Sequence, residues 1–157
     1  MKKFLSFLFL VTCFTSFAQT AEETAVKDVV TGFFEAFHRQ DSVALRSYAH
    51  PSVKMQSLGN NAEGKLNLST NTYGEFLERI TSIPSSTKFE ENLHGFDVRV
   101  NGPLATVITP YSFLVNGNLS HCGVNSFTMV KETEEWKIVH IIDTRGREGC
   151  EGYLNKS

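Results

Sequence analysis

Val26, Val29, Val30, Phe33 and Phe37 fall three or four residues apart, the spacing that gathers apolar side chains on one face of a helix. That helix is predicted to start at Thr20, whose hydroxyl has the spacing of a capping box with Glu23, and to run to about Gln40. Asp41 or Ser42 then caps a short second helix carrying Val43, Leu45 and Tyr48. It ends at His50-Pro51, because the residue before a proline avoids helical angles. From Val53 the pattern shortens to alternation through Leu58, and the polar stretch 59–64 turns the chain into Lys65 to Ser69 as the second arm of a hairpin. Thr72 and Glu75 repeat the capping-box spacing before Phe76, Leu77 and Ile80, so a third helix is predicted to about Ser82, with Pro84 blocking its continuation.

After residue 86 the pattern changes. Phe89 to Val100, Leu104 to Val115, Asn118 to Lys131 and Glu135 to Arg145 are rich in β-branched and aromatic residues, as four long strands would be. Asn101-Gly102 and Asn116-Gly117 supply the positive φ angles of tight hairpin turns, and the polar run 131–135 serves a similar purpose. An antiparallel meander is the expected result, and no repeat or linker divides it.

The first residues stand apart from this pattern. Lys2 and Lys3 precede an apolar run from Phe4 to Phe17 that closes on Ser16-Phe17-Ala18, the layout of a secretory signal cleaved between Ala18 and Gln19. A bilayer span needs about 20 apolar residues, and Thr12, Cys13, Thr15 and Ser16 interrupt this run. A lipidated Cys13 is a lesser alternative, since Thr12 is larger than the usual preceding residue. The expected product is exported, periplasmic or secreted, with residues 19–157 forming one domain and no membrane span. Loss of Lys2 and Lys3 takes the formal charge from −2 to −4. With no basic run or stripe, nucleic acid is excluded as an expected partner. Cys13 leaves with the signal, so Cys122 and Cys150 remain as an even pair in an oxidising compartment. A disulfide between them is expected, with two free thiols as the alternative.

Three helices leading into a long meander is the element order of the nuclear transport factor 2 (NTF2-like) superfamily, also called SnoaL-like. Phe33-Phe34-Glu35-Ala36-Phe37 followed by Gln40-Asp41-Ser42 resembles its helix and acidic turn, and Glu135-Trp136-Lys137-Ile138-Val139 resembles its last strand. The run His121-Cys122-Gly123-Val124-Asn125, with Asp143-Thr144-Arg145 and Cys150 downstream, is similar to a bacterial branch that carries a lumazine-binding label. The resemblance implies an α+β cone. In it, three N-terminal helices pack in a strongly curved, mixed or antiparallel sheet of about six strands, with a pocket at the open end.

Alternation places His121, Gly123, Asn125 and Phe127 on one face of their strand and Cys122 and Val124 on the other. A turn at Thr133 and Glu134 would put His140 opposite Phe127 and Thr144 opposite Gly123, on the His121 face. A register shifted by one residue would exchange Asp143 and Arg145 for them, and both registers remain open. The first register also sets Cys122 opposite Arg145, close enough for Gly146 and Gly149 to turn Cys150 toward it. Unperturbed histidine titrates near 6.5, so His121 beside Asp143 is a candidate general base. Asn125, Arg145, Tyr111 and His140 are candidate ligand-binding residues, although Asp143 and Arg145 also fit a structural ion pair. His38, His50, His94, His121 and His140 lack the close spacing of metal ligands, so no metal is expected. No cofactor is implied either, and no nucleophilic triad, because Cys122 and His121 point to opposite faces.

Eight of the 13 phenylalanines lie beyond residue 18, which suits an apolar pocket with a few orienting polar groups. The first expected function is therefore binding of a small molecule, aromatic or heterocyclic. The alternatives are a dehydratase or isomerase using His121 with Asp143, and a noncatalytic homodimer joined through an outer sheet face bearing Val107, Phe113 and Val124.

Overall fold

The computed structural model describes the backbone of residues 2–154 and the side chains of residues 20–153; the signal segment expected over residues 1–18 has its side chains outside that set. Helix α1 spans Lys2–His38. Thr20 lies inside it rather than at its start, so no N-cap is needed there while the preceding residues continue the helix. Helix α2 (Ser42–Tyr48) is capped by Asp41, which accepts from the Ala44 amide. Helix α3 (Tyr73–Ser82) opens with the reciprocal Thr72–Glu75 capping box expected from the sequence.

Seven strands form one mixed sheet: β1 (Ala49–Asn60), β2 (Leu66–Asn71), β3 (Phe89–Leu93), β4 (Asp97–Asn101), β5 (Leu104–Val115), β6 (Asn118–Lys131) and β7 (Trp136–Arg145). Their order is β2-β1-β7-β6-β5-β3, with β4 also paired to β5. The β1–β7 pair is parallel and the other pairs are antiparallel. The strand expected over Phe89–Val100 is two strands. The chain breaks at Gly95, where φ is +99°, so β3 pairs with the second half of β5 and β4 with the first half. A short helix, α4 (Glu151–Leu154), follows β7.

The sheet curls around α1, which presents Val26, Val30, Phe33, Phe34 and Phe37 as buried residues. Phe33 and Phe34 meet Phe127 edge-on at 6.1 and 5.9 Å between ring centres, and Phe76 of α3 stacks on Phe33 and Phe37. Such pairs contribute beyond the area they bury. Glu22 ties α1 to the β6–β7 hairpin, accepting from Lys131 Nζ at 2.7 Å and Trp136 Nε1 at 2.8 Å. At the other end Gln40, with φ +56°, donates to the Ile83 carbonyl and to the Ile80 carbonyl, the latter also accepting the Ile83 amide that closes α3.

Two extra residues bend the long strands. Pairing of β5 with β6 passes from Phe113↔His121 to Leu114↔Leu119, which leaves Ser120 unpaired. Pairing of β6 with β7 passes from Thr128↔His140 to Met129↔Ile138, which leaves Val139 unpaired. Bulges of this kind turn a strand and deepen its twist. Val107 and Phe113, expected on the outer face, point inward: Val107 is fully buried and Phe113 packs on Phe37 and Phe89. The outer face of β5 carries Leu104 and Ile108 instead.

Cys122 and Cys150 form a disulfide. Cys122 bridges Gly146, one residue beyond the expected Arg145, through backbone hydrogen bonds of 2.9 and 3.0 Å. The tail then packs on the outer sheet face, where the Tyr153 ring stacks on His94 at 5.2 Å. Closing a loop of this size stabilises a fold by about 3.5 kcal/mol on chain-entropy grounds. The Cys150→Ser variant is expected to lose roughly that amount in urea denaturation, and reductant should lower the wild-type midpoint but not that of the variant.

Candidate functional site

Side-chain parity along β7 changes at Val139. Before it, Trp136 and Ile138 are buried; after it, Ile141 is buried and Asp143 is on the same parity. The sheet therefore uses the shifted register near the site, with Asn125 opposite Asp143 and Phe127 opposite Ile141. His140 falls on the other face, opposite Thr128, and pairs with Gln56 Oε1 at 3.0 Å. Among the described residues it is the one candidate ligand-binding residue that the structure sets on the far side of the sheet from Asn125.

Between α1, α3 and the inner sheet face lies a cavity of about 250 Å³. Phe33, Phe34, Phe37, Phe76, Phe113 and Phe127 contribute its apolar walls. Glu91, His121, Asn125, Asp143 and Arg145 form a polar end. Arg79, Asn71 and Ser57 lie along the side made by α3 and the β1–β2 hairpin. A cavity of about 150 Å³ already holds benzene when apolar, so this one accommodates a substituted ring. A roomier depression of about 1010 Å³ between β1, β2 and the start of α3 is a more open groove, with less of the enclosure that gives small ligands their buried area.

Glu91 is the residue sequence reasoning did not single out. It sits on β3 with the parity of Phe89 and Leu93, so a carboxylate on an inward-facing position was the available signal. The residue as a whole is half-buried because the cavity opens beside it, whereas its carboxyl, the part that titrates, is enclosed by protein. Oε1 accepts a hydrogen bond of 2.7 Å from Asn125 Nδ2, and Asn125 is only 4% exposed. Burial raises the Glu91 carboxyl to about 7; the Asn125 bond opposes the rise, the Asp143 charge adds to it and the Arg145 charge opposes it. The Glu91 backbone amide donates to His38 Nε2 at 2.9 Å, which requires the unprotonated nitrogen. Burial also lowers the His38 pKa against the pull of Glu90 and Glu35.

Asp143 is engaged elsewhere. Both Nε and Nη2 of Arg145 donate to its Oδ2 at 3.2 Å. The Tyr111 hydroxyl lies 3.2 Å from the same oxygen and 3.1 Å from the Thr144 carbonyl. Gly123, the cross-strand partner of Tyr111, lies against the same Thr144 carbonyl, where a Cβ would collide. Tyr111 is 1% exposed, and its pKa is raised chiefly by burial, with the Asp143 charge adding to the effect. It orients Asp143 and does not line the cavity.

His121 stacks on Phe113 at 4.8 Å between ring centres and contacts Ser120 Oγ through Nδ1. Burial lowers it to about 4, helped by the nearby Arg145 and Arg147 charges and opposed by Asp143. Among the described residues no hydrogen bond joins His121 to Asp143. A neutral imidazole of such low basicity is a weak proton acceptor at neutral pH but keeps a ring N–H to offer a ligand. Among the described residues no group of three His, Cys, Asp or Glu side chains could hold a metal ion.

No protein-family model and no curated protein matches the sequence. Solved structures do match in shape. A Streptomyces avermitilis protein of the NTF2-like family, provisionally assigned as a dehydratase, superposes with a TM-score of 0.63 at 19% identity, over 81% of this chain and 97% of its own. An NTF2-like protein of unknown function from Pseudomonas putida gives 0.63 at 13% identity, over 80% and 87%. A Nostoc punctiforme domain of unknown function with a cystatin-like fold gives 0.60 at 16% identity, over 86% and 83%. The chain has the NTF2-like fold, an α+β cone of helices in a curved mixed sheet.

The sign of the Glu91 linkage is set by a folded pKa above the unfolded one. Its contribution to stability is full below about 4.5 and is lost as pH rises through about 7. Glu91→Gln removes that loss, so the variant should exceed wild type by about 3 kcal/mol above pH 7 and converge with it near pH 4.5. Paired urea denaturation curves at pH 8 and 4.5 check this, and the His121 titration cancels because both proteins share it.

Proposed function

We propose that this protein is an exported receptor for a small ring-bearing molecule, which sits against the phenylalanine walls with its polar substituent toward Glu91, Asn125 and His121. The observation that carries the reading is one cavity in which a wall of aromatic rings faces a cluster of polar groups at Glu91, His121, Asn125, Asp143 and Arg145. Binding sites for small molecules have this build: apolar surface supplies affinity, and a few fixed polar groups set orientation. Export is supported by Lys2 and Lys3 ahead of the Phe4–Phe17 run and by the Cys122–Cys150 disulfide. No described helix is long and apolar enough to cross a membrane. The lumazine-like ligand suggested by sequence resemblance fits this class as a heterocycle carrying polar edges.

A dehydratase or isomerase is the second reading, favoured by a carboxyl poised at about 7 and by the provisional assignment of the Streptomyces avermitilis protein. In that case Glu91 is better placed than the His121–Asp143 pair to move a proton, since Arg145 and Tyr111 already occupy Asp143.

A thermal-shift panel of aromatic heterocycles and steroids tests the receptor reading. At least one class should raise the melting temperature by several degrees, as saturation at 100 times Kd adds about 2.7 kcal/mol. Ser57→Phe, which fills the cavity from β1, should abolish that shift. An unchanged melting temperature across the panel contradicts the proposal.

A further inference from the structure

Resting on the receptor reading, we propose that Glu91 selects the ligand: its Oε2 hydroxyl, in the neutral acid form, donates a hydrogen bond to a carbonyl oxygen or ring nitrogen of an uncharged ring compound. The geometry assigns the proton to that oxygen. Asn125 Nδ2 donates to Oε1 at 2.7 Å, so Oε1 is the acceptor and a proton on the carboxyl belongs on Oε2. Oε2 has no hydrogen-bond partner among the described residues, and Glu91 lines the cavity, so its open valence is directed to whatever enters. Asn125 is itself nearly fully buried and cannot swing to water, which holds the carboxyl in one orientation.

The charged and titratable groups around Glu91 leave it as the one that changes state near neutral pH. Asp143 and Arg145 on β7 neutralise each other through two hydrogen bonds. His121 on β6 is neutral down to about 4, Tyr111 on β5 keeps its proton, and His38 on α1, its pKa lowered chiefly by burial, spends Nε2 on accepting the Glu91 amide. Arg79 on α3 lies at the exposed side of the cavity, bonded to Asn71. A carboxylic acid in this setting offers a donor; a carboxylate at the same place repels the negative end of a carbonyl dipole. Affinity for acceptor-bearing rings therefore falls as pH rises through about 7.

Acetophenone and α-methylstyrene, alike in ring and shape but differing in the carbonyl oxygen, test this by NMR titration at pH 5.5 and 8.5. Acetophenone should bind roughly tenfold more tightly than α-methylstyrene at pH 5.5, the size of one well-formed hydrogen bond, and lose that preference at pH 8.5. Glu91→Gln, which keeps a donor at every pH, should retain the preference at both. Equal binding of the two probes at both pH values, or a pH-independent preference in wild type, overturns the Glu91 inference and leaves the receptor reading intact. Absence of binding by either probe at any pH overturns both.

Discussion

One unpaired residue, Val139, decides which half of β7 looks into the cone. Before it the even-numbered side chains pack inward, and after it the odd-numbered ones do. Without that insertion a uniform alternation would carry His140 and Thr144 to the cavity and send Asp143 and Arg145 outward. The bulge thus does two things at once. It bends the strand so that the sheet can close around α1, and it delivers an ion pair to the end of the cavity that α1 and its phenylalanines do not fill.

The delivered pair sets the electrostatics of everything beside it. Asp143 is held by Arg145 and oriented by Tyr111, and this is tolerated in a half-dry site because the charges are mutually neutralised. Among the described residues Glu91 has no such cation of its own, and its carboxyl is hydrogen-bonded to the Asn125 amide alone. Burial strips water from the Glu91 carboxyl, and the Asp143 charge adds to that effect while the Asn125 bond and Arg145 oppose it, so Glu91 holds its proton to higher pH. The cost appears as lost stability at high pH and the return as a binding group, the usual exchange at a functional site.

Much of the fold was legible in the chain. The Val26–Phe37 stripe, the Thr72–Glu75 box, the Asn116-Gly117 turn and the β5–β7 pattern all carry local physics that tertiary contacts reinforce. The site was half legible: strand parity put His121 and Asn125 together, and both registers of β7 could be written down. The choice between them was not, because a bulge leaves no composition of its own and Val139 reads as an ordinary strand residue. Glu91 was hidden for a different reason. The Phe89–Val100 segment read as one strand, and the break at Gly95 that makes β3 a separate strand over the cavity is visible only once β5 is seen to serve both.

The state of the Glu91 carboxyl is the point on which stability, selectivity and the polar end of the cavity converge. Selective ¹³C labelling of glutamate and an NMR titration of the side-chain carboxyl resonances measure it in the unmodified protein, with Glu91→Gln assigning the signal. A midpoint near 7 is expected for Glu91; one near the ordinary value of about 4.3 means that the carboxyl is ionised at neutral pH and offers a ligand no proton.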